Sequence, residues 1–152
     1  MNVILLSPSG AFASALESLG LDDAEDRITV VYAVTNDASA DSYAEAIRLG
    51  PAALPPRGSF MATLNRSALG RNLKRILPLD GGRRFATRAR KDRRFRTAAA
   101  DADLIVALER DAVLAAWTGL HRWALRPSRG VFGLAPARAL LEGMRNASRP
   151  VG

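Results

Sequence analysis

Three short, nearly uninterrupted apolar runs restrict what this chain can fold into. They occupy residues 2–7, 28–34 and 102–108. Each is far below the roughly 20 residues a membrane-crossing helix needs. Each reads instead as a strand buried on both faces of a parallel sheet. The first begins at the N-terminus with no leading positive charge, and Pro8 and Gly10 cut it short, so no secretory signal is expected.

The segments between the runs supply the crossovers. Residues 11–19 carry Phe12, Leu16 and Leu19 at helical spacing and stop at Gly20. The stretch from Asp37 to Asp41 offers cap residues for a helix over 42–49, ended by Gly50. Asp111 opens a helix in which Val113, Trp117, Leu120 and Ala124 recur on one side, which places Trp117 in the core and Trp123 elsewhere. Residues 130–134 form a fourth strand, and Pro136 suits the first turn of a last helix over 137–144. Residues 146–152 form a frayed tail. Strands alternating with helices predict an α/β fold: one three-layer Rossmann-like domain spanning 1–152, with a parallel sheet of about four strands.

The rhythm breaks between residues 50 and 58, where Pro51, Pro55 and Pro56 exclude regular structure. Ser67 caps a helix over 68–77 whose Leu69, Leu73, Ile76 and Leu77 share a face. After a turn at 78–82, residues 83–100 read as one basic helix anchored by Phe85, Ala89 and Phe95. The region from about 59 to 100 is therefore a helical excursion within the domain.

That excursion holds most of the positive charge. Thirteen of the 22 basic residues lie between Arg57 and Arg96, against two acids, a net +11. Residues 1–56 have two basic and eight acidic residues, net −6, and residues 97–152 have seven and five, net +2. Arginine outnumbers lysine twenty to two, a bias that a GC-rich genome would also produce. Base composition does not explain why acids leave 57–96 and crowd into 1–56. The anion-binding candidates are Arg71, Lys74, Arg75, Arg83, Arg84, Arg88, Arg90, Lys91, Arg93 and Arg94. Their partner is an anionic membrane or a phosphorylated acceptor. A nucleic acid is the alternative, although Phe85 and Phe95 are thin provision for base stacking. A merely solvated face, paired with the acidic N-terminal third, is the third reading.

Ligands of open parallel sheets bind beyond the strands' carboxyl ends. The candidates there are Ser7, Ser9 and Gly10 after the first strand and Glu109 and Asp111 after the third. Small residues leading into a helix can hold a phosphate or a sugar hydroxyl, but this loop is neither G-x-G-x-x-G nor a Walker A loop. A plain turn is the competing interpretation. Glu109 or Asp111 can act as a base or orient a substrate; alternatively, Asp111 caps the following helix and Glu109 is solvated. His121 is the only histidine, and the chain has no cysteine, so thiolate metal sites, disulfides and a cysteine nucleophile are excluded. No catalytic residue is assigned, and neither a cofactor nor a metal is expected.

The opening strand Asn2–Ser7 with its small-residue loop, the basic excursion, and the stretch Ala100-Asp101-Ala102-Asp103-Leu104-Ile105-Val106-Ala107 resemble the N-terminal, acceptor-side domain of GT-B glycosyltransferases. In that family a phrase of this kind marks a strand bordering the acceptor cleft. The stretch from Ser67 to Asn72 and on through Pro78 to Phe85 is similar to a linker region of bacterial glycosyltransferase-like proteins. The resemblance implies a role in bacterial cell-surface polysaccharide or glycolipid synthesis. It implies a cytoplasmic domain held peripherally on the inner face of the plasma membrane. It carries over to the loop at Ser7, Ser9 and Gly10 and to Glu109 and Asp111. One departure is plain: no second Rossmann-like domain for the nucleotide sugar lies within these residues. The chain alone is expected not to transfer sugar, and a second polypeptide completing the enzyme is an expected partner.

Overall fold

A computed structural model describes residues 1–22, 24–33, 45–50 and 81–148. Strands β1 (Asn2–Leu6), β2 (Arg27–Tyr32), β3 (Glu45–Arg48), β4 (Leu104–Ala107) and β5 (Arg129–Phe132) form one sheet in the order β3-β2-β1-β4-β5. Every neighbouring pair is parallel. The helices are α1 (Ala13–Leu19), α2 (Gly81–Lys91), α3 (Arg93–Asp101), α4 (Val113–Arg122) and α5 (Leu134–Ser148). A 3-10 turn, Arg110–Ala112, leads into α4. No helix among the described residues is long and apolar enough to cross a membrane.

Strand alternation builds the layers. Ile4, Leu6, Val31, Ile47 and Ile105 point to one face and pack with Phe85, Ala89, Phe95, Ala99 and Ala115 from α2, α3 and α4. Val3, Leu5, Val30, Tyr32, Leu104 and Val106 point to the other and pack with Phe12 and Leu19 beside α1, and with Ala137 and Leu141 of α5. The result is the expected three-layer Rossmann-like sandwich, with five strands instead of four.

The additional strand lies where the sequence predicts a helix over 42–49. In the strand and the residue after it, buried Ile47 and Leu49 alternate with Ala46 and Arg48, a period of two. Glu45 also ties the strand to β2: Arg27 Nε donates to Oε1 at 2.7 Å and Thr29 Oγ1 to Oε2 at 2.8 Å. Pairing with β2 overrides the local helical signal.

The single basic helix predicted over 83–100 is two helices. They break at Asp92, which has an extended backbone and whose carboxylate accepts from the amides of Arg94 (2.8 Å) and Phe95 (3.3 Å). Gly81 and Gly82, read from sequence as a turn, are the first residues of α2. The expected anchors Phe85, Ala89 and Phe95 are all buried. The predicted helix over 68–77, with Arg71, Lys74 and Arg75, lies outside the described residues, as do 149–152 of the tail. Residues 146–148 belong to α5.

Helix α4 is turned away from its predicted orientation. Its buried side is Ala115, Ala116 and Gly119, while Trp117 is 53% exposed and Val113 41%. Small residues decide this. A Cβ at Gly119 would stand 3.1 Å from Ile105 Cδ1 and 3.4 Å from Phe95 Cζ, so glycine lets α4 sit directly on sheet and α3. The tryptophan that packs inward is Trp123, edge-on to Phe95 with centroids 5.8 Å apart. Phe95→Ala is therefore expected to lower the unfolding free energy by about 3–5 kcal/mol. Trp117→Ala is expected to change it by no more than about 0.5 kcal/mol. Urea unfolding of the two variants measures both, and equal losses would show that α4 is oriented otherwise.

Candidate functional site

The strand order reverses between β1 and β4, so the crevice beyond their carboxyl ends is the topological switch point. Pairing of Leu6 with Ala107 brings the two following loops together. Ser7, Ser9, Gly10 and Glu109 all meet there. Oε1 of Glu109 accepts from the Ser9 amide (3.1 Å), the Ser9 hydroxyl (2.6 Å) and the Ser7 hydroxyl. Ser7 is fully buried, and its Oγ in turn accepts from the Ala11 amide at 3.1 Å. Gly10 has φ +81°, and its amide donates to the Ser7 carbonyl at 3.0 Å.

The amides of Ser9, Gly10 and Ala11 thus have internal partners, and α1 begins only at Ala13. A phosphate entering this loop would meet the Glu109 carboxylate already seated on it. What the crevice presents is a positioned acceptor, suited to hydroxyl groups. Asp111 does not join this cluster. Its side chain fills the space that a Cβ of Gly81 would need, at the start of α2. Neither the 3-10 turn nor α4 has a side-chain cap, so Asp111 does not cap the helix that follows it. Instead it sets negative charge against the N-terminus of α2, whose own first turn has no acid.

Most of the charge of the basic helices faces outward, although Arg88 Nε is buried and lacks a hydrogen-bond partner among the described residues. Arg83, Arg90, Lys91, Arg93, Arg94 and Arg96 are exposed, and Arg84 and Arg88 are half-buried. Because Phe85, Ala86, Ala89, Phe95 and Ala99 are in the core, the apolar sides of α2 and α3 are already covered by the sheet. These two helices therefore have no free apolar face to lay on a bilayer while folded. Two of the described acids of the N-terminal third engage cations outside the basic helices. Asp26 pairs with Arg145 at 2.7 Å and with the N-terminus at 3.6 Å, and Glu45 pairs with Arg27. Arg94 lies 3.4 Å from Asp92, which is its own helix cap.

Two features escaped the sequence. One is the exposed apolar side of α4; its buried residues are alanines and a glycine, which carry little hydrophobic signal. The other is a groove of about 470 Å³ between α3 and the N-terminal halves of β1–β3, lined by Thr29, Glu45, Ile47, Arg94 and Thr97 among others. In it the hydrogen bond from Arg27 chiefly holds the Glu45 carboxyl below its usual range; partial burial opposes this and Thr29 assists.

Searches against family models, curated proteins and solved structures found no match to this chain.

Two outcomes test the geometry. Glu109→Ala leaves the buried Ser7 hydroxyl without its acceptor and should cost about 1–3 kcal/mol in urea unfolding; Glu109→Gln, which keeps an oxygen, should cost less. Equal losses would mean Glu109 is not the seam between the loops. For Glu45, a depressed folded pKa means its contribution is present above the ordinary carboxylate value of 4.5 and is lost as pH falls through the folded value. Arg27→Gln should move the Glu45 carboxyl titration upward in a carbon-detected NMR series; an unmoved midpoint would contradict the pairing.

Proposed function

We propose that this chain is a Rossmann-like domain that works against an anionic membrane surface, as the acceptor-side part of a glycosyltransferase-like system. The observation that carries the reading is the placement of charge. Eight basic residues between Arg83 and Arg96 stand on α2 and α3, whose acids are Asp92 at the break and Asp101 at the end of α3, and the apolar anchors of both helices turn inward. Each cation near an anionic leaflet contributes about 1 kcal/mol, so even half of them would hold a small domain there.

The switch-point crevice supports the second half of the proposal. An acceptor domain needs to orient a hydroxyl, and the Glu109 carboxylate, whose Oε1 is held by Ser7 and Ser9, is a positioned acceptor for one. The same arginines would serve a nucleic acid by phosphate contact alone, since Phe85 and Phe95 are in the core and cannot stack on bases.

Co-sedimentation with phosphatidylglycerol and phosphatidylcholine vesicles tests this. Binding is expected to the anionic vesicles only and to weaken with salt. Replacing Arg83, Arg90, Arg93 and Arg96 together by Glu should reduce it to the neutral-vesicle level. Retained binding in that variant would overturn the proposal, as would salt-sensitive binding to an oligonucleotide with none to vesicles.

A further inference from the structure

The basic layer has one helix that is not basic. Packing in α4 is done by Ala115, Ala116 and Gly119, so its opposite side presents Val113, Leu114 and Trp117 to solvent at 41%, 42% and 53% exposure. Those residues fall at i, i+1 and i+4, a single ridge. His121, also exposed, lies with its ring 4.6 Å from that of Trp117. Acids are absent from α4 itself.

The position of the ridge matters as much as its composition. Helices α2, α3 and α4 cover the same sheet face and send their inward residues into the same core cluster. Their outward sides therefore belong to one surface. Gly82 abuts the backbone of Asp111, which puts the start of α2, with Arg83 and Arg84, beside the turn that opens α4 at Val113 and Leu114. Gly119 touches Phe95 and Ala99, which holds α3 alongside the same helix. An apolar ridge is thus bordered by cationic helices. The cations cannot bring apolar surface of their own, because theirs is in the core.

Tryptophan and leucine beside arginine suit the boundary between lipid headgroups and acyl chains, where an amphipathic ring sits with its body in the apolar layer. We propose that α4 is the membrane-inserting element, with Trp117 and Leu114 entering the acyl boundary of an anionic leaflet while α2 and α3 hold the headgroups. The inference rests on the membrane reading above and adds to it an insertion site and its depth. Charge complementarity selects this occupant: a second copy of the chain would bring cationic borders against cationic borders.

The chain's two tryptophans make the test direct, because Trp123 packs on Phe95 and Trp117 does not. Wild type and Trp117→Phe are each mixed with phosphatidylglycerol vesicles carrying bromine on the acyl chains. The wild type should show a blue shift and quenching of tryptophan emission, and Trp117→Phe should show neither. Replacing Leu114 and Trp117 together by Ser should weaken vesicle binding by about tenfold or more. Circular dichroism checks that both variants are folded. Vesicle binding without quenching in the wild type would overturn the insertion and leave the electrostatic reading standing. Quenching that persists in Trp117→Phe would move the contact to Trp123 and also overturn it. No sedimentation with any vesicle would remove the membrane reading itself, and this inference with it.

Discussion

Burial of Phe85, Ala89 and Phe95 against Ile4, Val31 and Ile105 governs the arrangement of the molecule. These side chains come from the most cationic part of the described sequence, and their removal from water fixes the rotation of α2 and α3. Once they are inside, most of the guanidinium groups are turned outward, with Arg88 Nε the buried exception. The hydrophobic term, at roughly 25 cal/mol per Å² of apolar surface, decides an orientation that charge alone would leave open. Mutual repulsion among outward cations opposes the compact state, and the aromatic anchors offset it.

The same layer explains why α4 differs from its neighbours. Phe95 occupies the space above the sheet next to Gly119, so α4 can approach only with a side that lacks bulk. Alanine and glycine meet that requirement. Val113, Leu114 and Trp117 are left outside because the close approach excludes them, and Trp123 takes the place beside Phe95.

Much of the scaffold could be read from the residues. Continuous apolar runs at 2–7 and 102–108 announce the central strands, since a strand covered on both faces has no polar side to show. Phe85, Ala89 and Phe95 mark the buried side of the basic segment in the sequence, but the break at Asp92 makes it two helices instead of one. The failures have physical causes. Residues 45–48 have no strong strand propensity and become a strand through pairing with β2 and the Arg27–Glu45–Thr29 contacts, which couple positions distant in sequence. Periodicity points α4 the wrong way because it counts large apolar residues, whereas here small ones make the interface. At the switch point the loop residues were identifiable one by one. That Glu109 would reach Ser7 and Ser9 depends on the adjacency of β1 and β4, which sequence spacing does not encode.

That carboxylate has a consequence for any molecule entering the crevice. Glu109 fastens the end of β1 to the end of β4 across about a hundred residues of chain, and the fastener is the same group that a guest would need to engage. A visitor that accepts hydrogen bonds must evict it, loosening the middle of the sheet as it settles. One that donates can add to the carboxylate's partners and leave the clasp shut. By mass action either guest stabilises the fold it occupies, but the first binds more weakly, because displacing Glu109 opposes its entry.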